Sequence, residues 1–174
     1  MDHWFITAAN VIQKLPLDGK VLDLCSGDGF FPFYFYRKRA KQVDCVEIQQ
    51  QLHRHSLRLY NSEKINFICD SVIDYSPNPE SYDVVVIRGA IEHFSEKNQK
   101  IIFKKAQQAL KPKGWFIGDT PANPNKDNKM LNSHENEWAD EAEMRKQLEP
   151  FFSLMETKTL VSSDRTNLFW CCQK

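Results

Sequence analysis

Short apolar runs alternate with helix-length segments along most of this chain, and that alternation constrains the fold more than any other feature. Lys20 to Leu24, Gln42 to Ile48, Ile65 to Cys69, Asp83 to Ile87 and Trp115 to Asp119 are brief, largely apolar and rich in β-branched or aromatic residues. Strands covered on both faces read this way. Between them, Phe30 to Arg39, Gln49 to Tyr60 and Glu96 to Leu110 are long enough for helices. The last sets Ile101, Ile102, Ala106, Ala109 and Leu110 against Lys97, Lys100, Lys104 and Lys105, as a helix packed on a sheet would. Strands alternating with helices predict a parallel, doubly wound α/β sheet, because parallel neighbours need a crossover connection.

The ends of the chain add two features. Asp2 to Lys14 reads as an amphipathic opening helix, ended by Pro16 and Gly19. After Pro121 comes a loop rich in Asn, Lys and Pro, then a helix near Asp140 to Leu148 that stops at Pro150. Phe152 to Ser162 and Thr166 to Cys172 flank the polar turn Ser163-Asp164-Arg165, which suits an antiparallel hairpin at the sheet edge. The expectation is one domain over 1–174: a doubly wound sheet of seven strands, mostly parallel, with an antiparallel C-terminal edge hairpin. Residues 1–18 hold the N-terminal helix and 121–139 a substrate loop.

Composition excludes several function classes. A chain of 174 residues with 41% apolar side chains can bury one core. Its 23 Lys and Arg balance 23 Asp and Glu, so there is no bulk attraction to a phosphate backbone or an anionic membrane, and nucleic acid is not an expected partner. A local group, Arg37, Lys38, Arg39 and Lys41, fits solubility and a helix C-terminus. No apolar stretch reaches the roughly 18 to 20 residues of a membrane span, and Asp2 and His3 stand where a signal peptide would be basic. A cytoplasmic protein is expected. The five cysteines, Cys25, Cys45, Cys69, Cys171 and Cys172, are odd in number and form no C-x-x-C pair. They indicate neither disulfides nor zinc and read as small buried hydrophobes, so no metal is expected.

The chemistry starts where the first strand ends, in Asp23-Leu24-Cys25-Ser26-Gly27-Asp28-Gly29-Phe30. A strand turning through Gly27 and Gly29 into a helix leaves backbone amides open to a ligand's polar groups. A dinucleotide fingerprint would want a third glycine where Pro32 stands, which disfavours NAD. Asp23, beside the cradle, would repel a pyrophosphate yet accept hydrogen bonds from an ammonium. Glu47 ends the second strand, where a carboxylate can hold both hydroxyls of a ribose. Asp70, with Ser71, ends the third strand and can face an adenine amino group. These acids converge at the carboxyl edge of the sheet, where open α/β folds bind ligands.

On these motifs the chain resembles a class I S-adenosylmethionine-dependent methyltransferase, with a Rossmann-like sheet. Asp23 to Gly29 resembles the family's glycine motif, Val46-Glu47 its ribose-binding acid and Cys69-Asp70-Ser71 its adenine-side motif. Tyr82-Asp83-Val84-Val85-Val86-Ile87-Arg88-Gly89-Ala90-Ile91-Glu92-His93-Phe94 is similar to its fourth-strand motif, and Leu110-Lys111-Pro112-Lys113-Gly114-Trp115 to the turn into strand five. The resemblance implies S-adenosylmethionine as cofactor, held by Asp23, Cys25, Gly27, Gly29, Glu47, Ile48, Asp70, Ser71 and Arg88. Cys25 stands where the family has its first glycine; a small side chain at a strand end is expected to need no positive φ.

Each residue also has an ordinary alternative. Asp23 can cap the glycine turn, Glu47 can be a solvated strand end, and Asp28 suits an exposed turn. Asp83 suits the start of strand four, and Glu156, Lys158 and Arg165 suit a sheet edge. Arg88 can pair with Asp70 or reach a carboxylate or phosphate of the substrate. His93 and His134 are the candidate bases, with Asp119 beside them; their bland readings are a structural histidine and a solvated loop residue. In-line methyl transfer to an O or N nucleophile rests chiefly on positioning, which can supply roughly 7 to 11 kcal/mol.

The stretch His134-Glu135-Asn136-Glu137-Trp138 is similar to small-molecule methyltransferases, including ones that act on sugars. A small acceptor, a sugar or natural-product intermediate, is therefore expected. Its pocket would come from Trp4, Phe5, the Pro121 to Trp138 loop and a partner subunit, with a homodimer left open. A non-catalytic cofactor-binding protein and an NAD(P) oxidoreductase are the rival classes.

Overall fold

The computed structural model describes residues 3–174. Its elements are α1 (His3–Lys14), β1 (Lys20–Leu24), α2 (Phe30–Tyr34), β2 (Gln42–Glu47), α3 (Gln50–Leu59), β3 (Ile65–Cys69), β4 (Tyr82–Arg88), α4 (Glu96–Ala109), β5 (Leu110–Pro121), α5 (Glu141–Leu148), β6 (Leu154–Val161) and β7 (Thr166–Gln173). Seven strands form one sheet in the order β3-β2-β1-β4-β5-β7-β6, and β7 runs antiparallel to both of its neighbours. The expected class and edge hairpin are both present.

Burial explains the order. β1, β2, β4 and β7 are almost wholly buried, whereas β3 and β6 alternate or lie exposed and take the two edges. One face packs Leu22, Leu24, Val85, Ile87 and Phe116 with Ile102, Phe103 and Ala106 of α4 and Met144 and Leu148 of α5. The other packs Val21, Val43, Val84 and Ile117 with Ala8, Val11 and Leu15 from α1 and its following turn, and with Phe31 and Tyr36. Each such aliphatic or aromatic side chain contributes roughly 1.5 to 3 kcal/mol on full burial. A central strand with a polar row would forfeit several of these.

Several expectations move by a residue or more. The strand expected to end at Ile48 stops at Glu47, leaving Ile48 exposed, and the fifth strand extends to Leu110–Pro121. The expected helix Phe30 to Arg39 is two pieces, α2 and a 3-10 turn at Tyr36–Lys38. That break buries Tyr36 completely on the α1 side of the sheet. Asp2, expected in the first helix, lies outside the described residues. Cys69 is exposed rather than buried.

The sheet order reverses direction between β1 and β4. A crevice must open outside the carboxyl ends of those two strands, because their outgoing connections leave toward opposite edges.

Candidate functional site

The crevice at β1 and β4 is a cavity of about 890 Å³. Its floor is the turn from β1 into α2. Gly27 and Gly29 have φ of 62° and 82°, and a Cβ at Gly29 would sit 2.8 Å from Phe67 Cε1. Glycine at 29 is therefore required by both backbone and space. Cys25 corrects the expectation made for it: its φ is 57°, in the left-handed region, a conformation that costs a non-glycine residue roughly 1 to 2 kcal/mol.

Glu47 spans the cavity's side. Its Oε2 accepts from the Gly27 N–H at 2.9 Å and its Oε1 from the Gln49 N–H at 2.8 Å. The carboxylate thus ties the glycine turn to the start of α3, and it lines the cavity with Ile48, Gln49 and Leu52. Asp28 is an exposed turn residue on the same rim, accepting from the Phe30 N–H at 3.0 Å.

Asp23 is fully buried, and neither carboxylate oxygen has a hydrogen-bond partner among the described residues. Burial pushes its pKa up to about 7, against the attraction of Arg88. It is not among the residues that line the cavity. Arg88, by contrast, reaches the cavity. Its guanidinium lies 3.7 Å over the Phe31 ring and donates to Tyr36 Oη at 3.4 Å. It does not pair with Asp70.

Asp70 and Ser71 fall outside this cavity. Asp70 Oδ1 accepts from the Ser71 N–H at 2.7 Å and Ser71 Oγ from the Ile73 N–H at 3.1 Å, so both side chains organise the turn after β3. Asp83 orders the start of β4, as expected: it accepts from the Lys20 N–H at 2.8 Å and pairs with Lys111 at 2.8 Å.

A second cavity, of about 300 Å³, adjoins the first, and Trp4, Gly89 and His93 line both. Glu92, Asp119, Met130, Leu131, His134 and Arg165 complete much of its wall. The three expected base candidates, His93, His134 and Asp119, therefore meet at one place. Asp119 lies near the carboxyl end of β5, where Thr7 of α1 donates to its Oδ1; its Oδ2 is buried without a partner among the described residues. Burial again raises the pKa to about 7, against hydrogen bonding from Thr7 and the attraction of Arg88. Glu92 is also raised by burial, and it accepts from Thr120 Oγ1 at 2.9 Å.

His134 is not the solvated loop residue of the bland reading. It is 3% exposed, and its ring lies edge-on to His93 with centroids 4.7 Å apart. The Glu92 carbonyl accepts from the Glu135 and Asn136 N–H groups at 2.8 and 3.2 Å, clamping this loop onto the 3-10 turn at Ile91–His93. Gln99 of α4 fastens it further, through Asn136 and Trp138. Arg165 belongs to this cavity rather than to an ordinary strand edge.

Sequence reasoning passed over Thr7 and Glu92. Thr7 carries no local signal, because its partner lies 112 positions away. Glu92 stood beside His93 in the fourth-strand motif, and that adjacency was the available clue.

Comparison with known proteins bears on the family and the fold. Residues 21–114, just over half of the chain, match the family described as methyltransferase domain. An N-terminal Xaa-Pro-Lys N-methyltransferase 1 of Bos taurus is 35% identical over 52 residues, 30% of this chain and 23% of that protein. A phosphoethanolamine N-methyltransferase of Plasmodium falciparum is 27% identical over 105 residues, 60% of this chain and 40% of that one. The chain thus spans less than half the length of either relative. Among solved structures, the Haemonchus contortus phosphoethanolamine N-methyltransferase 2, in complex with phosphomonomethylethanolamine and S-adenosylhomocysteine, superposes with a TM-score of 0.80. It is 15% identical, covering 99% of this chain and 53% of that one, and shares the fold.

Proposed function

The chain belongs to the methyltransferase domain family, and from that premise we propose that it moves a methyl group from S-adenosylmethionine to an O or N nucleophile of a small acceptor. One observation carries the reading: the large cavity at the glycine turn and the small one beside it share Trp4, Gly89 and His93. A cofactor in the first and an acceptor in the second would face each other across that seam.

The lining suits a zwitterionic nucleoside. Glu47 stands where ribose hydroxyls are held, Gly27 and Gly29 admit a close backbone approach, and Arg88 offers a preformed partner for a carboxylate. Asp23, once ionised, contributes negative potential that favours an ammonium and a sulfonium, and such a cationic ligand in turn favours its ionised form. When bound, the cofactor supplies a methyl group on positively charged sulfur, whose C–S bond breaks with the electron pair staying on sulfur as the acceptor's lone pair bonds to carbon.

The chain's own residues have three tasks. Trp4, Phe5 and the 121–138 loop exclude water from the seam. The narrow second cavity holds the acceptor in line, where alignment provides most of the rate gain. Asp119, which lines that cavity and whose Oδ2 has no partner among the described residues, takes the acceptor's proton. A cavity of about 300 Å³ favours a small molecule, such as a sugar or natural-product intermediate, over a folded protein.

The test is titration followed by transfer. S-adenosylhomocysteine should bind saturably and NAD should not, and labelled S-adenosylmethionine should then methylate members of a small-acceptor panel. Label passing only to peptides with a free N-terminus would refute the small-acceptor class, and binding with no transfer to any acceptor would favour a non-catalytic role. Tight NAD binding without the homocysteine nucleoside would overturn the whole reading.

A further inference from the structure

Glu92, His93 and His134 each offer a ligating atom, and the three atoms lie within 4.8 Å of one another. All three residues line the smaller cavity, and Glu92 and His134 are buried. From this geometry we infer that the cluster is a binding site for a divalent transition-metal ion, zinc in the first instance, held by two imidazole nitrogens and one carboxylate.

The hydrogen bonds around the cluster are those a metal site requires. His93 Nδ1 donates to the Ser133 carbonyl at 3.2 Å, and His134 Nδ1 donates to Glu137. Both partners only accept, so the neutral form of either ring, the form that binds a metal, carries its proton on Nδ1 and presents the lone pair of Nε2. Neither Nε2 has a hydrogen-bond partner among the described residues. Glu92 is oriented by Thr120 Oγ1. Each prospective ligand is therefore fixed by an outer partner, the arrangement that sets tautomer and ring direction at protein metal sites. Glu137 is itself anchored by Asn123 Nδ2 and by the Met130 N–H at 2.9 Å.

Tetrahedral zinc with bonds of about 2.0 to 2.2 Å places its ligands about 3.4 Å apart. A cluster spanning 4.8 Å closes on the ion with side-chain movements of roughly 1 Å, within reach of χ adjustments. Hard cations such as magnesium prefer all-oxygen sets, so the two imidazoles select against them.

Three protein ligands leave a fourth position open, the pattern of catalytic rather than structural zinc. That position faces the cavity assigned above to the acceptor, so the ion would receive an oxygen donor of the substrate, a hydroxyl or vicinal diol. This last step rests on the proposed function; the metal site itself does not.

The full chain, stripped with a chelator and dialysed, should bind one equivalent of Co(II) with visible bands of a four-coordinate nitrogen and oxygen site, displaced by Zn(II) and unaffected by Mg(II). His93→Ala and His134→Ala should each weaken binding by about 100-fold or more, and Glu92→Gln by about 10- to 100-fold. Circular dichroism checks folding; His134 is buried, so the half-buried His93 supplies the decisive variant. Cys69→Ser should change nothing. Absence of stoichiometric binding, persistence of wild-type affinity in folded His93→Ala, or loss of metal with Cys69 would each overturn the site. S-adenosylhomocysteine affinity of Glu92→Gln is read in parallel. Its retention alongside metal loss supports the site, and failure of the wild type to bind the nucleoside counts against the cofactor reading alone.

Discussion

Replacing Asp23 with Asn should remove a pH-dependent penalty that the native fold carries. In the folded chain the Asp23 pKa rises from 3.8 to about 7, because burial opposes ionisation more strongly than Arg88 favours it. Above its unfolded value, the native state still binds a proton that the unfolded chain has released, so stability falls as pH rises from about 4 to about 7. Three pH units at 1.36 kcal/mol each make the cost about 4 kcal/mol once the carboxyl is ionised. Asn has nearly the same shape and no charge. Urea unfolding of wild type and Asp23→Asn at pH 5, 6, 7 and 8 therefore gives a difference in unfolding free energy that grows by about 1.4 kcal/mol per unit up to pH 7. It should flatten beyond. Asp119 titrates in the same direction, but it is present in both proteins and cancels, as does any fixed cost of the amide. Parallel pH profiles for the two proteins would refute the reasoning.

Glu47→Gln loses a charge-assisted grip on the glycine turn and on ribose hydroxyls, and calorimetry should show S-adenosylhomocysteine binding weakened by about 1 to 3 kcal/mol. Gly29→Ala places a Cβ 2.8 Å from Phe67 at a φ of 82°, so its thermal midpoint should fall and its cofactor affinity with it. In Gly118→Ala the new methyl would meet Trp170 Cζ2 at 2.2 Å and Ile87 O at 2.4 Å. Denaturant titration should show about 3 kcal/mol of destabilisation from overpacking. With an accepted substrate, kcat/KM should rise with pH to a plateau above about 7 as Asp119 ionises. Asp119→Asn should lower the rate and abolish that limb.

What could be read from the sequence was what local pattern encodes. The strand runs, the glycine turn and Glu47 at its strand end follow from periodicity and spacing, because a buried parallel strand and a tight turn each demand particular residues in place. Asp70 shows what such spacing does not record. Its strand-end position matches Glu47's, yet the Ser71 N–H and the turn after β3 claim its oxygen, and no sequence spacing records that competition. His134 illustrates a third case. Its burial depends on the Glu92 carbonyl and Gln99 folding the loop over β5, contacts between segments 37 or more positions apart. Cys25 was misjudged because the left-handed turn tolerates a strained residue when the surrounding sheet fixes it.

The acidic residues of the sheet divide into two groups by how they are satisfied. Asp44 accepts from Tyr82 Oη at 2.7 Å and from Gln42 at 2.9 Å, and Asp83 holds Lys20 and Lys111. Both are ordinary structural carboxylates. Among the described residues, Asp23 has no partner on either oxygen and Asp119 none on Oδ2, although each unmade hydrogen bond to a buried group costs roughly 1 to 3 kcal/mol. A fold able to satisfy Asp44 and Asp83 had the means to satisfy these. The two poorly partnered acids stand toward the carboxyl ends of β1 and β5, Asp119 in the wall of the smaller cavity and Asp23 outside either lining, both within the field of Arg88. That placement makes sense for groups that a cationic ligand and a departing proton would complete. It also sets two buried, poorly partnered carboxyls beside the proposed chemistry.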